Sequence, residues 1–95
     1  MRNYSLEELK DRKMEPHAIS AFMELQKLGC PVRVPIFGED RGHFWIDAES
    51  PNAEGWLNYY DGDLFLGSDK LNEILESHEL YWEWQNSAWG NVYDL

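Results

Sequence analysis

The apolar positions of the chain recur at a helical period up to about residue 30 and then switch to a period of two. Ser5-Leu6-Glu7-Glu8 has the form of a capping box, with a serine at N-cap and a glutamate three residues on, and it predicts a short helix to about Lys13. Pro16 suits the first turn of a second helix, where its missing N–H would find no partner anyway, and Ala18, Ala21, Phe22, Leu25 and Leu28 give that helix one apolar stripe. Gly29 is placed to end it and Pro31 to prevent its resumption.

From Val32 the alternation predicts a strand, with Val32, Val34 and Ile36 on one face and Arg33, Pro35 and Phe37 on the other. Gly38-Glu39-Asp40-Arg41-Gly42 is a turn by composition, and Phe44 and Ile46 continue a returning strand that exposes His43, Trp45 and Asp47. After a loop from Glu49 to Gly55, Trp56 to Tyr60 reads as a third strand, with Leu57 and Tyr59 on one face and Trp56, Asn58 and Tyr60 on the other, closed by Asp61-Gly62-Asp63. Ser68-Asp69 predicts a helix start, with Leu71, Ile74, Leu75 and His78 as its buried stripe. Leu80, Trp82 and Trp84 then alternate with Tyr81, Glu83 and Gln85, and a turn over Asn86 to Gly90 leads to a last strand marked by Val92 and Leu95. The expected fold is α+β in a single domain over 1–95: two N-terminal helices, an antiparallel three-stranded meander, one further helix and a C-terminal β-hairpin, with the helices packed on one face of the sheet.

Composition makes such a core feasible. Fourteen of the 95 residues are aromatic, five of them Trp, and each large ring can bury about 150–250 Å². A disordered acidic tail would be poor in such residues. Cys30 is the lone cysteine, which excludes an intrachain disulfide and a multi-thiolate metal site and fits a reducing compartment. The N-terminal stretch has no apolar signal-peptide core and nothing approaches a membrane span, so a cytoplasmic protein is expected, in the host cytoplasm if it is viral.

The formal net charge of −10 is unevenly spread. Residues 1–33 carry five acids and six bases, whereas residues 34–95 carry thirteen acids against only Arg41 and Lys70. A surface of one sign favours a basic partner and disfavours direct contact with nucleic-acid phosphates.

No catalytic motif is present. The histidines and Cys30 stand in no activating sequence context, and there is no Gly-rich phosphate loop or His-Glu-x-x-His pair, so no enzyme and no cofactor are expected. Asp61-Gly62-Asp63, with Asp47 or Glu49 from the preceding loop, offers oxygen ligands for calcium, but Asp-Gly is equally a turn dipeptide and the EF-hand pattern is absent. His43 and Asp47 on one strand face supply only two ligands, too few for a structural zinc site.

The remaining constellation interleaves acids and rings. Glu39, Asp40, Asp47, Glu49, Glu54, Asp61 and Asp63 fall in turns and strand ends beside Trp45, Trp56 and Tyr60, and aromatic anchors within a charged rim are a common interface design. These ten residues are the expected partner-binding set. The expectation is a non-enzymatic inhibitor that occupies the nucleic-acid site of a basic nuclease or nucleic-acid-binding complex, as a DNA mimic of the anti-restriction, anti-CRISPR or immunity type, a comparison that rests on size and charge alone. The alternatives are a calcium-binding domain using loops 39–63 and an adaptor or structural subunit of a host complex.

Overall fold

The computed structural model describes residues 3–35 and 42–95. Helix α1 spans Leu6–Asp11 and opens on the expected capping box: Glu8 N–H donates to Ser5 Oγ at 3.2 Å while Ser5 N–H donates to Glu8 Oε1 at 3.1 Å. Helix α2 spans Pro16–Lys27, starts on its proline and buries Ala18, Ile19, Ala21, Phe22 and Leu25. Leu28, expected in the same stripe, is the C-cap residue and is 43% exposed, because the helix ends before the next turn can carry it inward. Gly29 follows at φ +92°, the left-handed conformation that ends a helix without steric cost only for glycine. Helix α3, Asp69–Ser77, is capped by Ser68 Oγ, which accepts from Leu71 N–H at 3.1 Å, and buries Leu71, Ile74 and Leu75.

Four strands form one antiparallel sheet: β1 (Val32–Arg33), β2 (Phe44–Asp47), β3 (Leu80–Trp84) and β4 (Trp89–Asp94), in the order β1-β2-β4-β3. Register places Phe44, Val92 and Trp82 side by side on one face and Trp45, Asn91 and Glu83 on the other. Phe22 of α2 meets Phe44 of β2 edge to face at 5.2 Å, and Leu9, Leu25, Ile46, Leu57, Leu71, Leu75, Leu80 and Val92 are fully buried around that contact. The fold is α+β with the helices on one face of the sheet, and no helix among the described residues is long and apolar enough to cross a membrane.

One expected strand does not form. The stretch 56–60 is turn and irregular backbone, and the place beside β2 that a meander would give it is taken by β4. The physical reason lies upstream. Ser50 caps a 3₁₀ turn over Pro51–Ala53, accepting from Asn52 N–H at 3.1 Å, and Ala53 O then accepts from both Trp56 N–H and Leu57 N–H, so the chain winds instead of extending. Trp56 and Leu57 are consequently both buried, unlike neighbouring residues of a strand that has one face in water. The β1 strand is shorter than expected, and the continuation through Ile36 and Phe37, with the turn at Gly38 to Arg41, lies outside the described residues. The C-terminal hairpin forms as expected, except that Trp89 and Gly90 belong to β4 and not to the turn, and Leu95 lies beyond the end of the strand.

Candidate functional site

Residues 56–68 make a loop whose ends are tied together. Ser68 N–H donates to Trp56 O at 2.8 Å and Asn58 N–H to Leu64 O at 3.1 Å. Inside it, Asn58 Oδ1 accepts from Tyr60 N–H and Asp61 Oδ1 from Asp63 N–H, each at 2.9 Å, the short-range side-chain turns for which Asn and Asp are suited. Such a loop holds its surface side chains without borrowing a strand.

What it presents is aromatic. Tyr59 lies 5.3 Å from Tyr60, 5.2 Å from Phe65 and 5.3 Å from Trp84 of β3, all in edge-to-face contact. Trp84 donates its Nε1–H to Phe65 O at 2.7 Å, fastening the loop to the sheet. Behind it Trp82 packs edge to face on Trp84 at 4.9 Å and donates to Asn72 Oδ1 at 3.0 Å, while Asn72 donates to Leu66 O at 3.0 Å. The outcome is a platform whose outer members remain in water: Tyr60 is 82% exposed and Leu66 76%. A cleft of about 280 Å³ runs between Phe65 and Leu66 on one side and Tyr81, Trp82, Glu83 and Trp84 on the other, along β3, an edge strand of the sheet.

The ten residues expected to bind a partner do not share one surface. Tyr60, Asp61 and Asp63 sit on the platform loop and are exposed. Trp56 is a core residue, 9% exposed, with Lys70 Nζ 5.9 Å above its ring, so it cannot serve as a surface anchor. Trp45 lies on the sheet face away from the helices, donates to Val34 O at 2.9 Å and packs on Trp89 at 5.7 Å. Asp47 is held by Arg33 Nη2 at 3.2 Å and accepts from Glu49 N–H at 3.0 Å, so its carboxylate is committed internally. Glu49 and Glu54 are exposed in the connection after β2. Glu39 and Asp40 lie outside the described residues. Tyr59, Phe65, Leu66 and Trp84, which the expected set did not include, make the surface together with Tyr60. The signal for Phe65 and Leu66 was present as an apolar Leu64-Phe65-Leu66 run directly after Asp61-Gly62-Asp63, with no helical or strand period to bury it.

Among the described residues the acids of 47–63 assemble no group of three metal-donor side chains. The three-donor group that does form is elsewhere, at His17, His43 and Asp94. His78, expected in the buried stripe of α3, instead bonds Glu24 of α2 at 2.9 Å. Cys30 is 4% exposed, and burial pushes its thiol far above the usual cysteine range, against the smaller opposing pull of Arg33. That environment suits a packed hydrophobe and not a nucleophile.

No family model matches the chain, and neither does any curated protein or solved structure.

Proposed function

We propose that the protein is a non-catalytic binding module that docks a basic protein surface through the platform of Tyr59, Tyr60, Phe65, Leu66 and Trp84. The observation that carries the reading is an exposed aromatic and aliphatic cluster on a loop locked by its own hydrogen bonds, flanked by Asp61 and Asp63 and by no base between residues 42 and 69. Apolar anchors supply the contact energy and the carboxylates steer a cationic partner toward them. A nuclease or another nucleic-acid-binding protein is the partner class proposed, because its basic groove complements the thirteen acids of residues 34–95. Occupying that groove would inhibit it. Nucleic acid itself is repelled by the same charge.

The test is capture from native lysate at low salt with a salt-step elution, run in parallel with Tyr60→Ser/Leu66→Ser and Asp61→Lys/Asp63→Lys proteins. The reading expects a basic protein that wild type retains and both variants lose, and whose bound DNA is displaced by the free wild-type protein in fluorescence anisotropy. Identical captures by all three proteins, or a captured protein whose DNA stays bound, would defeat it.

A further inference from the structure

His17, His43 and Asp94 come from three separate elements: the first turn of α2, the residue before β2 and the end of β4. His17 Nε2 lies 2.6 Å and His43 Nε2 2.8 Å from the same oxygen, Asp94 Oδ1. All three donor atoms fall within 4.8 Å of one another. Two imidazole nitrogens and a carboxylate oxygen, converging from residues 77 and 51 positions apart, need a cause beyond local sequence.

From this geometry we infer that the three side chains bind a divalent transition-metal ion of the zinc class. The ring spacing argues for it. With a metal–nitrogen bond of about 2.0–2.1 Å, an imidazole centroid stands roughly 3.2 Å from the ion, and two such rings at a tetrahedral angle lie about 5.2 Å apart. The His17 and His43 centroids are 5.2 Å apart, with their planes at 78°. Opening the 2.6 and 2.8 Å nitrogen–oxygen contacts by about 0.5–0.7 Å, and bringing donor atoms now within 4.8 Å of one another to the roughly 3.3 Å separation of tetrahedral ligands, asks for side-chain rotations that His17 and Asp94, 38% and 61% exposed, are free to make.

The backbone also holds His43 in place. Gly42 has φ +67°, and a Cβ there would sit 2.1 Å from Val92 O, so only glycine lets the chain approach β4 closely enough for His43 N–H to donate to Val92 O at 2.8 Å. His43 is thereby fixed across the ladder from the residues leading to Asp94. Beside it opens a cleft of about 260 Å³ lined by Arg12, Met14, Glu15 and Pro35. Three protein ligands leave at least one coordination position for water or for a donor atom of another molecule. Imidazole ligands favour zinc and its first-row neighbours over calcium and magnesium, which prefer all-oxygen sites.

The test is titration of the metal-free full chain with zinc by calorimetry, and with cobalt by visible absorption, in the presence of millimolar calcium. One ion per chain is expected. Free zinc at about a hundred times Kd should raise Tm by roughly 10–20 °C. His17→Ala, His43→Ala and Asp94→Asn should each weaken zinc binding more than about tenfold, and His78→Ala should leave it unchanged. Should His43→Ala fail to fold, His17→Ala and Asp94→Asn, at more exposed positions, carry the test alone. Absence of binding, displacement by calcium, or equal binding by His17→Ala and wild type each overturns the assignment.

Discussion

Gly90→Ala is expected to destabilise the natural chain and to become harmless, or slightly stabilising, once Trp82 is replaced by Ala. A Cβ on Gly90 would lie 2.6 Å from Trp82 Cε3 and 3.1 Å from Cζ3, well inside the roughly 3.5–4.0 Å at which carbon atoms pack. On the other side of the ring Gly67 is equally close, with its hypothetical Cβ 2.8 Å from Trp82 Nε1. Trp82 therefore fills a slot bounded by two glycines, and its bond to Asn72 keeps it from swinging aside. Forcing a methyl into such a slot costs about 1–3 kcal/mol. Relief of glycine's excess entropy in a strand returns roughly 0.5–1 kcal/mol, which leaves a net loss of about 1–2 kcal/mol.

Trp82→Ala alone should cost about 2–4 kcal/mol, below the usual range for a fully buried ring because Trp82 is only partly buried. In that background the ring clash is gone and only a 3.3 Å approach to Glu83 O opposes the entropy gain, so Gly90→Ala should be neutral or stabilising by up to about 1 kcal/mol. The coupling across the cycle is then roughly 1–3 kcal/mol. Urea unfolding of the four proteins followed by circular dichroism, with m-values compared, measures it directly. Gly67→Ala is the contrast: at φ +78° an alanine is strained whatever its neighbours, by about 1–2 kcal/mol, and that part should survive removal of Trp82. An equal cost of Gly90→Ala in both backgrounds would refute the slot.

Trp56→Ala should lose about 3–5 kcal/mol, whereas Tyr60→Ala should stay within about 0.5 kcal/mol of wild type while weakening partner capture; the reverse order in denaturant titration would mean the loop is inverted. Cys30 should resist alkylation at pH 8 in the native protein. Its folded thiol stays protonated where the unfolded thiol, with its ordinary value of 9.0, ionises, so folding stability should fall as pH rises above about 9, by up to roughly 1.4 kcal/mol per pH unit. A Cys30→Val protein should lack that component when unfolding is measured from pH 8 to 10. Glu79, at φ +62° just after α3, holds a position that suits glycine, and Glu79→Gly should gain up to about 1 kcal/mol, seen as a few degrees in Tm.

The helices were legible because each carries its own boundary signals. The capping box at Ser5, Pro16 at the start of α2, Gly29 at its end and Ser68 before α3 are local features, and local chemistry decides them. The strand pairing was not legible in the same way. That β4 lies next to β2 depends on which apolar faces meet across more than forty residues, and nothing near Trp89 or Phe44 announces it. Trp56 to Tyr60 was misread because its alternation of rings and polar groups satisfies a period of two. The bonds that override it come from Ser50 and Ala53, outside that window. Trp56 was placed outside for the same reason: its facing was inferred from a strand that does not form. The histidine cluster left no trace in sequence, since His17, His43 and Asp94 are adjacent only after α2 closes on the end of the sheet.

The proposed metal site and the proposed docking platform stand at opposite ends of the β3–β4 ladder, Leu80 pairing with Asp94 at one and Trp84 with Gly90 at the other. Four residue steps along β4, from Gly90 to Asp94, separate them, roughly 13 Å of strand. At that distance, with no shared side chain, their effects on stability should add. Zinc should therefore raise Tm by the same amount in the Tyr60→Ser/Leu66→Ser protein as in wild type, and His17→Ala should capture the same partner with unchanged affinity. The two ideas can thus fail independently: loss of zinc binding leaves the platform standing, and loss of capture leaves the metal site standing. If partner affinity instead rises when zinc is bound and falls in His17→Ala, the partner reaches the far end of the sheet and contributes a donor to the open coordination position. The docking face would then have to be redrawn from the platform along β3 and β4 to His43.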